Sequence, residues 1–547
     1  MGTCATFFKR GRLTVNHKST ADQRTPVVRR VSGLKRDYRG KLAAMAEITR
    51  RSVLLGCAAA AILPQAISAN ANVDELSTMD ATGLAELVRK GKVSALELVD
   101  AAIRRIEKLN PRINAVIWER FEKARQEARG ALPKGPFQGV PFLTKDLGCT
   151  TAGEPDSQGS RFLKNHNYTA TATAELAKRI RAAGFVNLGR TNAPEFGTMT
   201  TTEPLAWGPT RNPWDLTRTP GGSSGGTAAA VASLMVPVAH GTDAGGSIRI
   251  PAAACGVVGL KPTRGRISSA PGDELTVPLA VQGFLTRSVR DMAACLDFAA
   301  GAFPGDPTVP PPPQRPFVRE LDSKPPSLRI GLLNHLPKSV EGSLDPACKK
   351  AADDAGRLLE SLGHHVEPTE PSGLDDPMMT AAYIRLLGSR ALNRLLGFER
   401  RIGERAKADE VETGNASIME LARVMSAVDY LQDLEQVNTF SRQFAGWWSS
   451  GFDLLLTPST AVLPPKLGTL GIDSHRRADM LRWSVYARPF NFSGLPAITL
   501  PLFWSEEGLP IGVQLGAAYG REDLLISVAA QLEKAQPWHM KLPSTHA

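Results

Sequence analysis

Apolar residues between positions 83 and 109 recur at three- and four-residue steps (Leu84, Leu87, Val88, Leu96, Leu98, Val99, Ile103, Ile106), the spacing of one buried helix face. The stretch 139–145, GVPFLTK, is too short for a helix and nearly all apolar, so it reads as a buried strand. Helical spacing returns over 173–184, stops at Gly184, and gives way to a second strand over 185–190. Helix and strand signals recur at 346–363, 453–457 and 511–515. Such recurrence predicts an α/β layer architecture. Residues 376–450 are helical in pattern with one polar face, and read as an insertion beside the sheet. Residues 304–316 hold seven prolines and read as a loop, because proline cannot continue a helix interior.

Composition adds a correction about charge. The chain is 42% hydrophobic and 22% charged, enough apolar material for a sizeable core. Its formal charge of +11 invites a nucleic-acid reading. Residues 1–71, however, carry 13 Lys/Arg against 3 Asp/Glu, while the other 476 residues carry 52 against 51. A phosphate-binding footprint would have to sit on the folded body, so nucleic acid is excluded as the expected partner.

The leader has an order of its own. Arg50 and Arg51 precede an apolar run of about 15 residues, and Ala69-Asn70-Ala71 closes it. A spanning helix needs roughly 20 apolar residues, so no stable membrane span is expected. The paired arginines resemble a twin-arginine export signal, with Val53 where that motif usually has Phe. Periplasmic or secreted location is the expectation. Met45 would give this signal a short start; residues 1–44 then read either as lying before the true start or as an organelle transit peptide. After Ala71 the cysteines are Cys149, Cys255, Cys295 and Cys348, with no metal-site or CxxC spacing.

Candidate chemistry concentrates in 219–264. Two Gly-framed serine sites stand there, Gly221-Gly222-Ser223-Ser224-Gly225-Gly226 and Asp243-Ala244-Gly245-Gly246-Ser247-Ile248-Arg249. Glycines beside serine let backbone N–H groups converge next to a nucleophile, as an oxyanion hole requires. Either motif alone could be a Gly/Ser-rich turn. The first lacks the Lys of a phosphate loop. It also lacks the buried strand that must precede a nucleophile elbow, since 212–220 is NPWDLTRTP. His240 is the histidine near either serine, and at the end of an apolar strand it reads as structural. Lys145 closes the 139–145 strand. If buried there it becomes a usable base, because desolvation lowers its pKa; the alternative is a side chain that snorkels to solvent.

Lys145 in Lys-Asp-Leu, the 221–226 motif and the 241–263 stretch GTDAGGSIRIPAAACGVVGLKPT together resemble the amidase signature family, including its 24-residue step from Ser223 to Ser247. The likeness spans roughly 75–535 and takes in Arg190-Thr191-Asn192, Pro194-Glu195 and Gly494-Leu495-Pro496-Ala497. Residues 200–214 and 237–252 are similar to the subgroup that hydrolyses the 6-aminohexanoate cyclic dimer, with Gly245 where that subgroup carries Ala.

The resemblance implies one large domain over 72–547, with a mixed β-sheet core covered by helices. It implies Ser247 as nucleophile, Ser223 after a cis peptide bond as proton relay, and Lys145 as neutral base. The N–H groups of Ala244, Gly245, Gly246 and Ser247 would hold the oxyanion, and Ser224, Asp243 and Arg249 would brace the loops. A small-molecule amide substrate is implied, with no metal and no organic cofactor; a homodimer is left open. Two alternatives stand beside amide hydrolysis. One is the amidotransferase subunit that supplies ammonia for charged tRNA, which needs partner subunits and a cytosolic setting. The other is a non-catalytic amidase-like binding protein.

Overall fold

The strand expected at 139–145 lies deep inside a single large sheet. A computed structural model describes residues 73–272, 279–470 and 477–547. The leader, with Met45 and the Arg50-Arg51 pair, lies outside the described residues. Eleven described strands form the sheet. In chain order they are β1 (Val116–Glu119), β2 (Pro141–Lys145), β3 (Val186–Thr191), β4 (Val238–Asp243), β5 (Val258–Lys261), β6 (Val281–Thr286), β7 (Arg329–Leu332), β8 (His365–Pro368), β9 (Leu454–Pro458), β10 (Ala497–Trp504) and β11 (Pro510–Ala517). In space they run β1-β3-β2-β4-β6-β5-β10-β11-β9-β7-β8. The neighbours β3, β2 and β4 are parallel, as are β9, β7 and β8. The other pairs are antiparallel, so the sheet is mixed.

β2 and β4 are buried at every residue, as strands covered on both faces must be. The helix Gly225–Ala232 (GGTAAAVA) packs against both, and its small side chains permit the close approach. The periodic run 83–109 is two helices rather than one, Ala81–Arg89 and Ala95–Ile113. Ser94 ends the break with a capping box. Its hydroxyl accepts from the Glu97 N–H at 3.1 Å, and the Glu97 carboxylate accepts from the Ser94 N–H at 2.7 Å. Gly184, at φ +93°, ends the helix Glu175–Ala182 in the left-handed conformation.

The segment 376–450 forms the helices Pro377–Ile402, Thr413–Arg423 and Ala427–Gly446, off the sheet. Their apolar faces pack on one another and on the short helix Arg488–Ser493, where Phe444 meets Phe490 edge-on at 5.4 Å. The prolines of 304–316 lie outside any helix or strand. Cys149, Cys255, Cys295 and Cys348 are buried free thiols. Among the described residues, no helix is long and apolar enough to cross a membrane.

Candidate active site

Three parallel strands, β3, β2 and β4, end at the same edge of the sheet, and carboxyl ends of parallel strands are where α/β folds place their ligands. Lys145 is the last residue of β2 and Asp243 the last of β4. Strand alternation puts His240 and Thr242 on one face of β4, and Gly241 and Asp243 on the other. Lys145 meets the first face. Its N–H donates to His240 Nδ1 at 3.3 Å, and its Nζ lies 3.0 Å from Thr242 Oγ1. The same Nζ lies 2.7 Å from Ser223 Oγ and 3.0 Å from Ser224 Oγ.

The Lys145 side chain is fully buried, so the snorkelling alternative fails. Burial strips the ammonium of hydration and pushes its pKa well below the ordinary lysine value; Asp243 opposes this, and Arg394 and Arg390 push the same way. His240 is buried too, which lowers its pKa to about 3 and keeps it neutral. Its Nδ1 accepts from Lys145, so Nε2 carries the hydrogen and donates to Gln282 Oε1 at 2.7 Å. With both ring nitrogens so engaged, the imidazole is a brace and not a base for either serine.

Ser223 and Ser224 lie in the loop that opens the helix Gly225–Ala232, and the Gly222–Ser223 peptide is cis. A methyl group on Gly222 would sit 2.6 Å from the Thr201 carbonyl oxygen, so only glycine fits. The Ser224 hydroxyl accepts from Lys145 and donates to the Thr242 carbonyl at 3.2 Å. The Ser224 N–H donates to the Ser247 carbonyl at 3.1 Å, which ties the two serine loops together.

Asp243 and Arg249 clamp the second loop. Both are fully buried and paired at 3.0 Å. Burial alone would raise the Asp243 carboxyl, but the charge and hydrogen bonds of Arg249 hold it well below the usual carboxylate range. Arg249 also donates to the Ala487 carbonyl at 2.9 Å, Gln514 Oε1 at 2.8 Å and Asn491 Oδ1 at 2.7 Å. Asp243 accepts from the Gly246 N–H at 2.8 Å and the Ile248 N–H at 3.1 Å. One expectation is corrected here: the Gly246 N–H points at Asp243 and is spent on shaping the turn, so it does not face an oxyanion. The N–H groups of Ala244, Gly245 and Ser247 have no protein acceptor among the described residues.

Three contributors escaped the sequence. Thr242 was legible in principle, because alternation from His240 puts it on the Lys145 face. Asn491 stands just before the Gly494-Leu495-Pro496-Ala497 block, and Gln514 lies in an apolar strand where a polar residue is itself a signal. A cavity lies over Ser223, Thr242 and Ala244, and is walled opposite by Leu387, Arg390 and Arg394. Arg390 and Arg394 also border an adjoining vestibule of about 380 Å³, within the size of small-molecule sites. Among the described residues, no group of three or more His, Cys, Asp or Glu is placed to hold a metal ion.

Comparison with known proteins places the site in context. A family model described as Amidase matches residues 97–526. A 6-aminohexanoate-cyclic-dimer hydrolase from Pseudomonas sp. (strain NK87) is 44% identical over 85% of this chain and 96% of its own length. One from Paenarthrobacter ureafaciens is equally similar, 44% identical with the same coverage. A solved structure of 6-aminohexanoate cyclic dimer hydrolase complexed with substrate superposes with a TM-score of 0.83 at 42% identity, over 86% of this chain and 100% of that one. A bacterial aryl acylamidase of the amidase signature family gives a TM-score of 0.77 at 29% identity, over 84% and 96%.

Proposed function

This chain belongs to the amidase signature family, and from that premise we propose that it hydrolyses carboxylic amides through a serine acyl-enzyme, with Ser247 as nucleophile, Ser223 as relay and Lys145 as base. It is a hydrolase closely related to 6-aminohexanoate cyclic dimer hydrolase.

The observation that carries the mechanism is the fully buried Lys145 amine 2.7 Å from Ser223 Oγ. A neutral amine has two N–H donors and one lone pair. Ser224 donates its own hydrogen to the Thr242 carbonyl and therefore accepts from Lys145. With Thr242 Oγ1 as the second acceptor, the lone pair is left for the Ser223 hydroxyl. Lys145 takes the Ser223 proton, Ser223 takes that of Ser247, and Ser247 Oγ bonds to the amide carbonyl carbon. The remaining turn N–H groups stabilise the oxyanion. The proton returns from Lys145 through Ser223 to the nitrogen, and the C–N bond breaks. Water repeats the relay on the ester, releasing the carboxylic acid and restoring Ser247.

The substrate we assign is a small linear or cyclic oligoamide such as the 6-aminohexanoate cyclic dimer, supported by the 44% identity to relatives so named. The test is incubation of the wild type and Ser247→Ala with that dimer, following linear product by chromatography and acyl adducts by intact mass. Wild type is expected to release product. Ser247→Ala is expected to release none and carry no adduct. An adduct on the alanine variant overturns the nucleophile. A wild type inert to the dimer but active on an anilide moves the substrate class and leaves the mechanism.

A further inference from the structure

Gly245 reports on a side chain far along the sequence. A methyl group on its Cα would overlap the hydroxyl of Tyr383 and lie 3.0 Å from Cζ and 3.4 Å from Cε2 of that ring. The hydroxyl thus fills the space a side chain at 245 would need, directly against the turn that carries the free N–H groups.

Tyr383 belongs to the helix Pro377–Ile402. Leu387, Arg390 and Arg394, which wall the cavity over Ser223, follow it at helical steps and share its face. The ring is held on two sides: Phe492 packs edge-on at 5.8 Å and the Arg488 guanidinium stands 5.9 Å from its centroid. Among the described residues its hydroxyl has no hydrogen-bond partner. Burial raises the phenol pKa further above its ordinary value, so the group keeps its proton and is a donor at every working pH.

Such a donor would act beside the free N–H groups of Ala244, Gly245 and Ser247. Asp243 takes the Gly246 N–H, and a glycine at 245 leaves the adjoining side open. We propose that Tyr383 is a catalytic residue whose hydroxyl donates a hydrogen bond to the carbonyl oxygen of the scissile amide as it becomes an oxyanion, and that Gly245 is glycine to admit it. The inference rests on the acyl-enzyme reading above. No proton is transferred; the hydrogen bond strengthens as negative charge develops on the oxygen and relaxes when the carbonyl re-forms. A side-chain donor aimed from the helix beside the pocket also couples amide placement to whatever that helix contacts.

Tyr383→Phe keeps the ring and removes one atom. On an amide that the wild type turns over, it is expected to retain KM and lose kcat on the order of 10²-fold, the usual cost of one oxyanion donor. A phenylboronic acid, whose tetrahedral serine adduct mimics the oxyanion, is expected to bind it more weakly by a similar factor. Gly245→Ala is expected to displace the hydroxyl and lose at least as much turnover. The double variant should be no slower than Gly245→Ala, because the methyl then displaces nothing that contributes. Circular dichroism and a thermal melt check each fold. A kcat within twofold of wild type for Tyr383→Phe overturns the proposal, as does unchanged boronate affinity or fully additive losses in the double variant. Ser247→Ala tests the acyl-enzyme reading by itself, so the two can fail separately.

Discussion

An amine surrounded by hydroxyl groups and cut off from bulk solvent has little reason to stay charged. Lys145 is in that position, 2.7 Å from Ser223 and fully buried. If it works as a neutral base, kcat/KM falls as pH drops through its lowered pKa and is level above it. Lys145→Ala is expected to lose about 10²- to 10⁴-fold in turnover, the range for removing a general base. Lys145→Arg keeps the charge but cannot accept a proton, and is expected to be as inactive as the alanine variant. Turnover of the arginine variant near wild type would reduce Lys145 to an electrostatic partner. At this scale the sequence was informative, because Lys145, both serines, Asp243 and Arg249 stand in two short motifs and one strand end. Thr242 was hidden behind the more conspicuous His240, and Tyr383 could not be found from spacing at all. Its relevance comes from a helix crossing over the turn, not from any local pattern.

The helix Pro377–Ile402 shows where element-level reading stopped. Its polar and apolar positions were legible as a helix with one polar face, but the direction of that face was not. An amphipathic pattern presumes polar means outward. Here Arg390 and Arg394 line the cavity and the vestibule. The break at Ser94 had the opposite cause: the capping signal was present in Ser94 and Glu97, and the continuous periodicity masked it. Because both arginines disfavour a charge on Lys145, neutralising one should let that amine hold its proton more tightly. Arg394→Gln is therefore expected to move the acid limb of the kcat/KM profile to higher pH. A limb that stays in place, with kcat/KM unchanged, would show that the guanidinium is too well screened to matter.

At the scale of the whole molecule, the first and last described α-helices, Ala81–Arg89 and Glu522–Ala535, both pack on the helix Val289–Ala299 at one acidic seam. Asp291 accepts from the Ala81 N–H at 2.6 Å and the Thr82 N–H at 2.9 Å, while Glu533 accepts from the Val289 N–H at 3.2 Å. Burial raises both carboxyls to about 7, and for each the charge of Asp80 adds to the effect. A folded-state pKa above the unfolded value gives stability that is full below the unfolded pKa, 4.5 for Glu533, and lost as pH rises through about 7. Glu533→Gln keeps an acceptor for Val289 without the charge. Its Tm is expected to match wild type at pH 4 and exceed it by about 1–3 °C at pH 8. Equal melting at both values would mean that Glu533 is already ionised without cost.

The strand order of the sheet could not have been read from sequence, since β5 (Val258–Lys261) pairs with β10 (Ala497–Trp504). The same reach along the chain sets when the clamp on the second serine loop can be completed. Arg249 is fixed by the carbonyl of Ala487, by Asn491 and by Gln514, all made long after the two serine loops. A nascent chain still lacking those residues already holds Lys145, Ser223, Ser247 and the local Asp243–Arg249 pair, but not the outer contacts that fix Arg249. The order of translation therefore makes the complete clamp a late event: its contact with Gln514 waits for the last strand to be made.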